Sequence, residues 1–145
     1  MGRVEPARLC IVAEMAEAVR ALGVPDADIR ERELDGGGWM TGCVIRLGGE
    51  EVECDVMHHE RRDTAVRLFL DGWQFEHVDA SGLRQLLVNI LSGDAVIRPE
   101  RGFLRGDRHV LKAVGGTTVH EAWSEAFVEE RAAAWEIRLL PAAGS

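Results

Sequence analysis

Two adjacent glycines, Gly48 and Gly49, separate two runs in which apolar and polar residues alternate. Trp39, Cys43, Ile45 and Leu47 share one parity before them, and Val52, Cys54 and Val56 share one parity after them. Alternation at period two marks a strand with one buried face, and a two-residue loop with positive φ at both positions is built most easily from glycine. With Gly48-Gly49 as that loop, residues whose numbers sum to 97 stand opposite one another. Ile45 then faces Val52 and Cys43 faces Cys54 on the buried side. On the other side Arg46 faces Glu51 and Met40 faces Met57. A slip of one residue would reverse every face, so the match of apolar with apolar and cation with anion fixes the register.

The neighbouring segments follow from the same reasoning. Pro6 opens a helix whose stripe is Leu9, Val12, Met15, Val19 and Leu22, and Gly23 with Pro25 closes it. Residues 26–35 read as a weak polar strand or a loop, ended by Gly36-Gly37-Gly38. A third strand over 64–71 alternates Val66, Leu68 and Leu70 with Arg67 and Asp71, pairs Val56 with Val66, and is broken by Gly72 and Trp73. A second helix runs from Asp79 or Ser81 to Ser92 on Leu83, Leu86, Leu87, Ile90 and Leu91. Strand residues at 95–98, cut by Pro99, lead into a hairpin over 101–114 around Gly106-Asp107. Thr118 with Glu121 reads as a capping box opening a last helix. Trp135, Ile137 and Leu139 alternate as a short closing strand would.

These elements give an α+β fold: one domain over residues 1–140 with a disordered tail at 141–145. An antiparallel sheet of about five strands carries helices on one face, in the order α-β-β-β-α-β-β-α with room for a last strand. The element order over residues 5–135 is similar to that of type III secretion chaperones and their relatives. That resemblance implies partner binding and dimerisation.

Charge narrows the function. Seventeen Lys+Arg against 25 Asp+Glu leave a net charge of -8, which repels nucleic acid and anionic membrane. No apolar run approaches the roughly 18 residues that span a bilayer. Three cysteines, Cys10, Cys43 and Cys54, make neither a disulfide framework nor a zinc signature, so a reducing cytoplasm is the expected compartment.

Catalytic and metal signatures are weak. Cys54, His58, His59 and Glu60 cluster in sequence, but on a strand Cys54 and His58 lie about 13 Å apart, and the cluster reads as a polar turn with no metal. Cys43 and Cys54 read as two reduced thiols packed as small hydrophobes. Ser81 lacks the strand and glycine pattern of a nucleophile elbow and reads as a cap. Glu51, Glu53 and Asp55 read as a solvated sheet face, and Gly36–Gly38 lacks the order of a phosphate loop. No cofactor is expected.

One segment carries a contact surface. With Gly106-Asp107 as a two-residue loop, Arg101, Phe103 and Arg105 share a face with Arg108, Val110 and Lys112. Four cations around a Phe–Val pair repel one another across the strands, and an acidic partner would relieve that. The expected function is a non-catalytic cytoplasmic protein-interaction module, of chaperone, adaptor or immunity type. It would bind another protein, or a second copy of itself, through a sheet face or edge. The alternative is a small enzyme or ligand-binding domain with a pocket between sheet and helices that uses His58, His59 or His77.

Overall fold

A computed structural model describes residues 6–24, 27–59, 65–101 and 107–141. The fold is α+β with an antiparallel sheet, and the sheet has eight strands, not five. In chain order the elements are α1 (Pro6–Ala21), β1 (Arg30–Glu33), β2 (Trp39–Leu47), β3 (Glu50–His58), β4 (Ala65–Leu70), β5 (Trp73–Asp79), α2 (Leu83–Leu91), β6 (Val96–Arg101), β7 (Asp107–Gly115), β8 (Thr118–Ser124) and α3 (Ala134–Ile137). Across the sheet the strands run β1-β2-β3-β4-β5-β8-β7-β6. The element order that resembles type III secretion chaperones is therefore not the one observed.

The β2–β3 hairpin forms in the expected register, from Trp39 opposite His58 to Leu47 opposite Glu50, with Cys43 opposite Cys54. Gly48 and Gly49 take φ of 56° and 88°, the values such a loop requires. Two further hairpins use two-residue turns, one where the sequence reading had a break at Gly72 and one just before the expected last helix. Leu70 stands opposite Trp73 across Asp71-Gly72, and Asp71 has φ 51°. Gly115 stands opposite Thr118 across Gly116-Thr117. Asp-Gly is as strong a turn signal as Gly-Gly, so Gly72 turns the chain into β5 where the reading had the sheet interrupted.

Three other expectations need correction. Residues from Thr118 form β8 and not a helix: β-branched Thr118 and Val119 follow a tight turn, and ladder pairing with β7 prevails over the local capping pattern. Trp135, Ile137 and Leu139 lie in and just after the short helix α3, not in a strand. A helix buries positions i and i+4 and exposes i+2, and that is the outcome: Trp135 and Leu139 are buried while Ile137 is exposed. Finally, β3 and β4 pair two residues away from the expected register, with Val56 opposite Leu68 and Asp55 opposite Phe69. A shift of two keeps every face, so the buried set survives while the anticipated Asp55–Arg67 pair does not. Arg67 meets Glu76 instead, at 3.5 Å. The weak segment before the glycine run holds β1, paired with residues 39–42 of β2. The proposed tail at 141–145 lies, beyond Pro141, outside the described residues.

The inward face of the sheet carries the core. Ile45, Val52, Cys54, Val56, Leu68, Leu70 and Phe75 pack with Ile11, Met15 and Ala18 of α1 and with Leu83, Leu86, Leu87 and Ile90 of α2 in one cluster that includes Trp135 and Leu139. At the far end of that face α3 is held by carboxylates. Glu50 accepts from the backbone N–H groups of Ala134 and Trp135 at 3.0 and 2.9 Å. The indole N–H of Trp135 donates to Asp71 and that of Trp73 donates to Glu136. The Glu50 bonds satisfy the first free N–H groups of a helix too short to be stable alone, and the indole bonds tie it to β5 and to the turn before it.

Helix α2 approaches the β7–β8 hairpin at backbone distance. A Cβ on Gly82 would lie 3.0 Å from the Gly115 carbonyl carbon, and a Cβ on Gly115 would lie 3.0 Å from Gly82 O and from Leu86 Cβ. Gln85 accepts from Gly116 N–H, and Asn89 donates to Val114 O, both spanning the same contact.

Two stability predictions follow from these joints. Gly115→Ala must separate two backbones and is expected to lower stability by about 1–3 kcal/mol. Gly36→Ala, whose Cβ would meet nothing within 4 Å, is the control that should leave the urea midpoint near wild type. Equal midpoints for the two variants would refute the close approach. Glu50→Ala is expected to cost about 1 kcal/mol, the usual loss for a removed helix cap. It should shift Trp135 fluorescence toward that of a solvated indole before global unfolding, and a superimposable melting curve would show that the cap contributes nothing.

Candidate functional site

The helices cover one face of the sheet, and the opposite face of β6–β8 presents a mixed surface to solvent. Val114 and Val119 stand opposite each other on β7 and β8, 41% and 60% exposed. Four residues along, Trp123 is 50% exposed and stands opposite Val110. The Arg108 guanidinium lies 4.5 Å above the Trp123 ring, a stacking that holds the indole in place at the surface. Between the two apolar positions Lys112 and Glu121 face each other with an ion pair of 3.3 Å.

The predicted contact residues fall on this region in a different arrangement. β6 and β7 pair from Val96 opposite Lys112 to Arg101 opposite Asp107, so five residues join the strands where the sequence reading had two. The anticipated facing of Arg101 with Lys112 is therefore absent. Arg108 stands opposite Glu100 and pairs with it at 2.7 Å. Val110 is buried on the outer face, outside the main core cluster, between the rows that hold Arg98 and Trp123. Arg101 ends β6 and is exposed. Phe103 and Arg105 lie outside the described residues, as does Glu60. Like charges are thus interleaved with carboxylates strand by strand, which removes the repulsion inferred from the two-residue loop.

Trp123 is the residue that sequence reasoning missed. On the expected last helix it shares one side with Val119, Phe127 and Ala134; on a strand after the Gly116-Thr117 turn, it shares parity with Val119 and Glu121 and faces outward. The signal was the two-residue turn.

The structure does not bring the histidines together. His58 is buried on the inward face, its ring 3.2 Å from the Thr41 hydroxyl. His59 is exposed beyond the end of β3, and His77 is exposed on β5. No group of three or more metal-ligating side chains occurs among the described residues. A cleft of about 760 Å³ opens at the other end of the sheet, where β1 stops. It is lined in part by Arg30, Arg32, Met40, Cys43, Val44 and Asp55. Burial pushes the Asp55 carboxyl above its ordinary range, and Arg32 draws it back in part. No described helix is long and apolar enough to cross a membrane.

No protein-family model, curated protein or solved structure matches this chain.

Proposed function

We propose that this chain is a non-catalytic protein-interaction module that seats a partner on the outer face of β6–β8, with Trp123 as the anchor. The observation that carries this reading is an uncovered sheet face on which an arginine-stacked tryptophan and the Val114–Val119 pair are exposed together. Tryptophan and arginine dominate the energetics of protein contacts because they bury a large area at small entropic loss. The ion pairs Arg108–Glu100 and Lys112–Glu121 form a polar rim around that anchor.

A face fits better than an edge. The outermost strand at one side, β1, is Arg30-Glu31-Arg32-Glu33. At the other side β6 contains Arg98-Pro99-Glu100-Arg101, and its Ile97 N–H is already bonded to Leu139 O. Charges and proline on outer strands are the usual means of preventing strand addition. Phe103 and Arg105, which lie outside the described residues, are proposed with Arg101 as an extension of this contact. The partner is another protein or a second copy of the chain. The free thiols of Cys43 and Cys54 fit a reducing, cytoplasmic setting.

Trp123→Ser and Val119→Asp test the face, and Arg101→Glu with Arg105→Glu tests its extension. Sedimentation velocity across a concentration series reads the second copy, and quantitative mass spectrometry of proteins retained from a host lysate reads any other partner. The expected result is loss of the retained species by at least about tenfold for Trp123→Ser, the cost of one interface hot spot, with the melting temperature unchanged. Retention equal to wild type by both methods would remove this face from consideration.

A further inference from the structure

Near the start of β1, one member of a facing thiol pair lines the cleft. Arg30, the first residue of β1, stands opposite Gly42, so β2 from Cys43 onward has no β1 residue beside it. Cys43 lines the cleft and is 8% exposed, while Cys54, one strand further in, is wholly buried. The two residues are direct register partners. In a hairpin closed by a two-residue loop, the pair flanking the loop is hydrogen-bonded and the type alternates along the ladder. Leu47–Glu50, Ile45–Val52 and Cys43–Cys54 are therefore the hydrogen-bonded pairs. Cα atoms at such a pair are about 5.5 Å apart, inside the span that a disulfide bridges.

The two thiols are not equivalent. Cys54 donates its S–H to the Cys43 sulfur, which draws the Cys43 thiol below its ordinary range, although burial and the Asp55 charge oppose this. The same bond, with burial, holds the Cys54 thiol well above its ordinary range. Cys43, which lines the cleft, is thus the thiol that ionises more readily, and its register partner Cys54 keeps its proton.

We infer that Cys43 and Cys54 form a redox-active dithiol, with Cys43 attacking a small hydroperoxide that enters the cleft and Cys54 resolving the product. In the first step the Cys43 thiolate displaces hydroxide (or alkoxide) from the peroxide O–O bond and becomes a sulfenic acid. In the second step the Cys54 sulfur attacks the Cys43 sulfur, its proton leaves with the sulfenic hydroxyl as water, and an S–S bond forms. The peroxide takes up the two electrons that the thiol pair loses. Side chains at a hydrogen-bonded antiparallel pair point poorly for an S–S bond, so the bridge is strained and returns to two thiols under mild reductant. This inference does not depend on the partner-binding face, which lies at the other end of the sheet.

The native chain permits a direct test, because trypsin cleaves after Arg46 and places Cys43 and Cys54 on separate peptides, with Cys10 on a third. Reduced protein is exposed to hydrogen peroxide, quenched with N-ethylmaleimide in denaturant and mapped without reduction. The expected result is a linked Cys43–Cys54 peptide pair, lighter by two hydrogens than its parts, formed faster than glutathione is oxidised and lost on adding dithiothreitol. Cys54→Ser should leave Cys43 trapped by dimedone as the sulfenic acid, or carried on to the sulfinic acid. Cys43→Ser should leave Cys54 alkylated by the maleimide after the same exposure. Recovery of Cys43 and Cys54 as separate maleimide adducts in the native chain would overturn the inference. So would bridges made mainly to Cys10, or equal oxidation of Cys54 in the Cys43→Ser variant.

Discussion

The whole arrangement rests on the backbone contact between Gly82 and Gly115. The sheet consists of a five-stranded meander, β1–β5, and a three-stranded unit, β6–β8. Where they join, the described register between β5 and β8 is Gln74 opposite Trp123, far shorter than the ladders within either unit. Helix α2 leaves β5 and crosses to the second unit, and the distance at which it can lie over β7 is set where the two glycines meet. A side chain at either position would hold the helix away from Leu111 and Ala113, which share the core cluster with it. The ring contacts of Phe127 with Trp73 and His109, centroids 5.4 and 4.8 Å apart, reinforce the same seam further along β7. Apolar packing supplies what the short ladder does not.

Much of this was legible in the sequence wherever two independent patterns agreed. Between Trp39 and Val56 the glycine turn, the apolar parity and the charge pairing of Arg46 with Glu51 all select one register, and it is the observed one. The first helix and the stripe of α2 were equally plain. Reading failed where a single local signal was opposed by a pairing partner far away in sequence. Thr118 and Glu121 have the spacing of a capping box, but β7 offers a ladder beginning at Gly115. Trp135, Ile137 and Leu139 fit both period two and a single helical turn over so short a stretch. The choice came from Glu50, 84 residues away from the Ala134 N–H that it accepts. The contact surface was partly legible for the same reason: Arg108, Val110 and Lys112 share the outer face as expected, while Trp123 was hidden by the helix assignment.

An eight-stranded sheet with three helices has enough helix to cover one face. The other must tolerate water, and cross-strand ion pairs do this along its length: Arg46 with Glu51, Arg67 with Glu76, Lys112 with Glu121 and Arg108 with Glu100. Each exposed pair is worth only about 0–1 kcal/mol, so their role is solvation and register more than stability. Against that tiling the apolar positions on β7 and β8 stand out. Solvation alone would place threonine, lysine or glutamate at residues 114, 119 and 123, as it does at residues 112 and 121. Half-exposed valines and an indole held by a guanidinium are a poor choice for a face that only meets water, and a sound one for a face that meets protein.

The two ends of the sheet solve different problems with the same economy of strand length. β6 ends in charge and proline and is covered by the backbone after α3, so that end is closed. β1 is four charged residues long, and its pairing with β2 stops at Gly42. Pairing with β1 stops before Cys43, yet Ile45, two positions further on, is wholly buried, so the end of β1 does not by itself open this stretch of β2. Ile45 opposite Val52 is apolar packing; what distinguishes the pair at 43 and 54 is that two sulfur side chains stand opposite each other and that Cys43 lines the cleft.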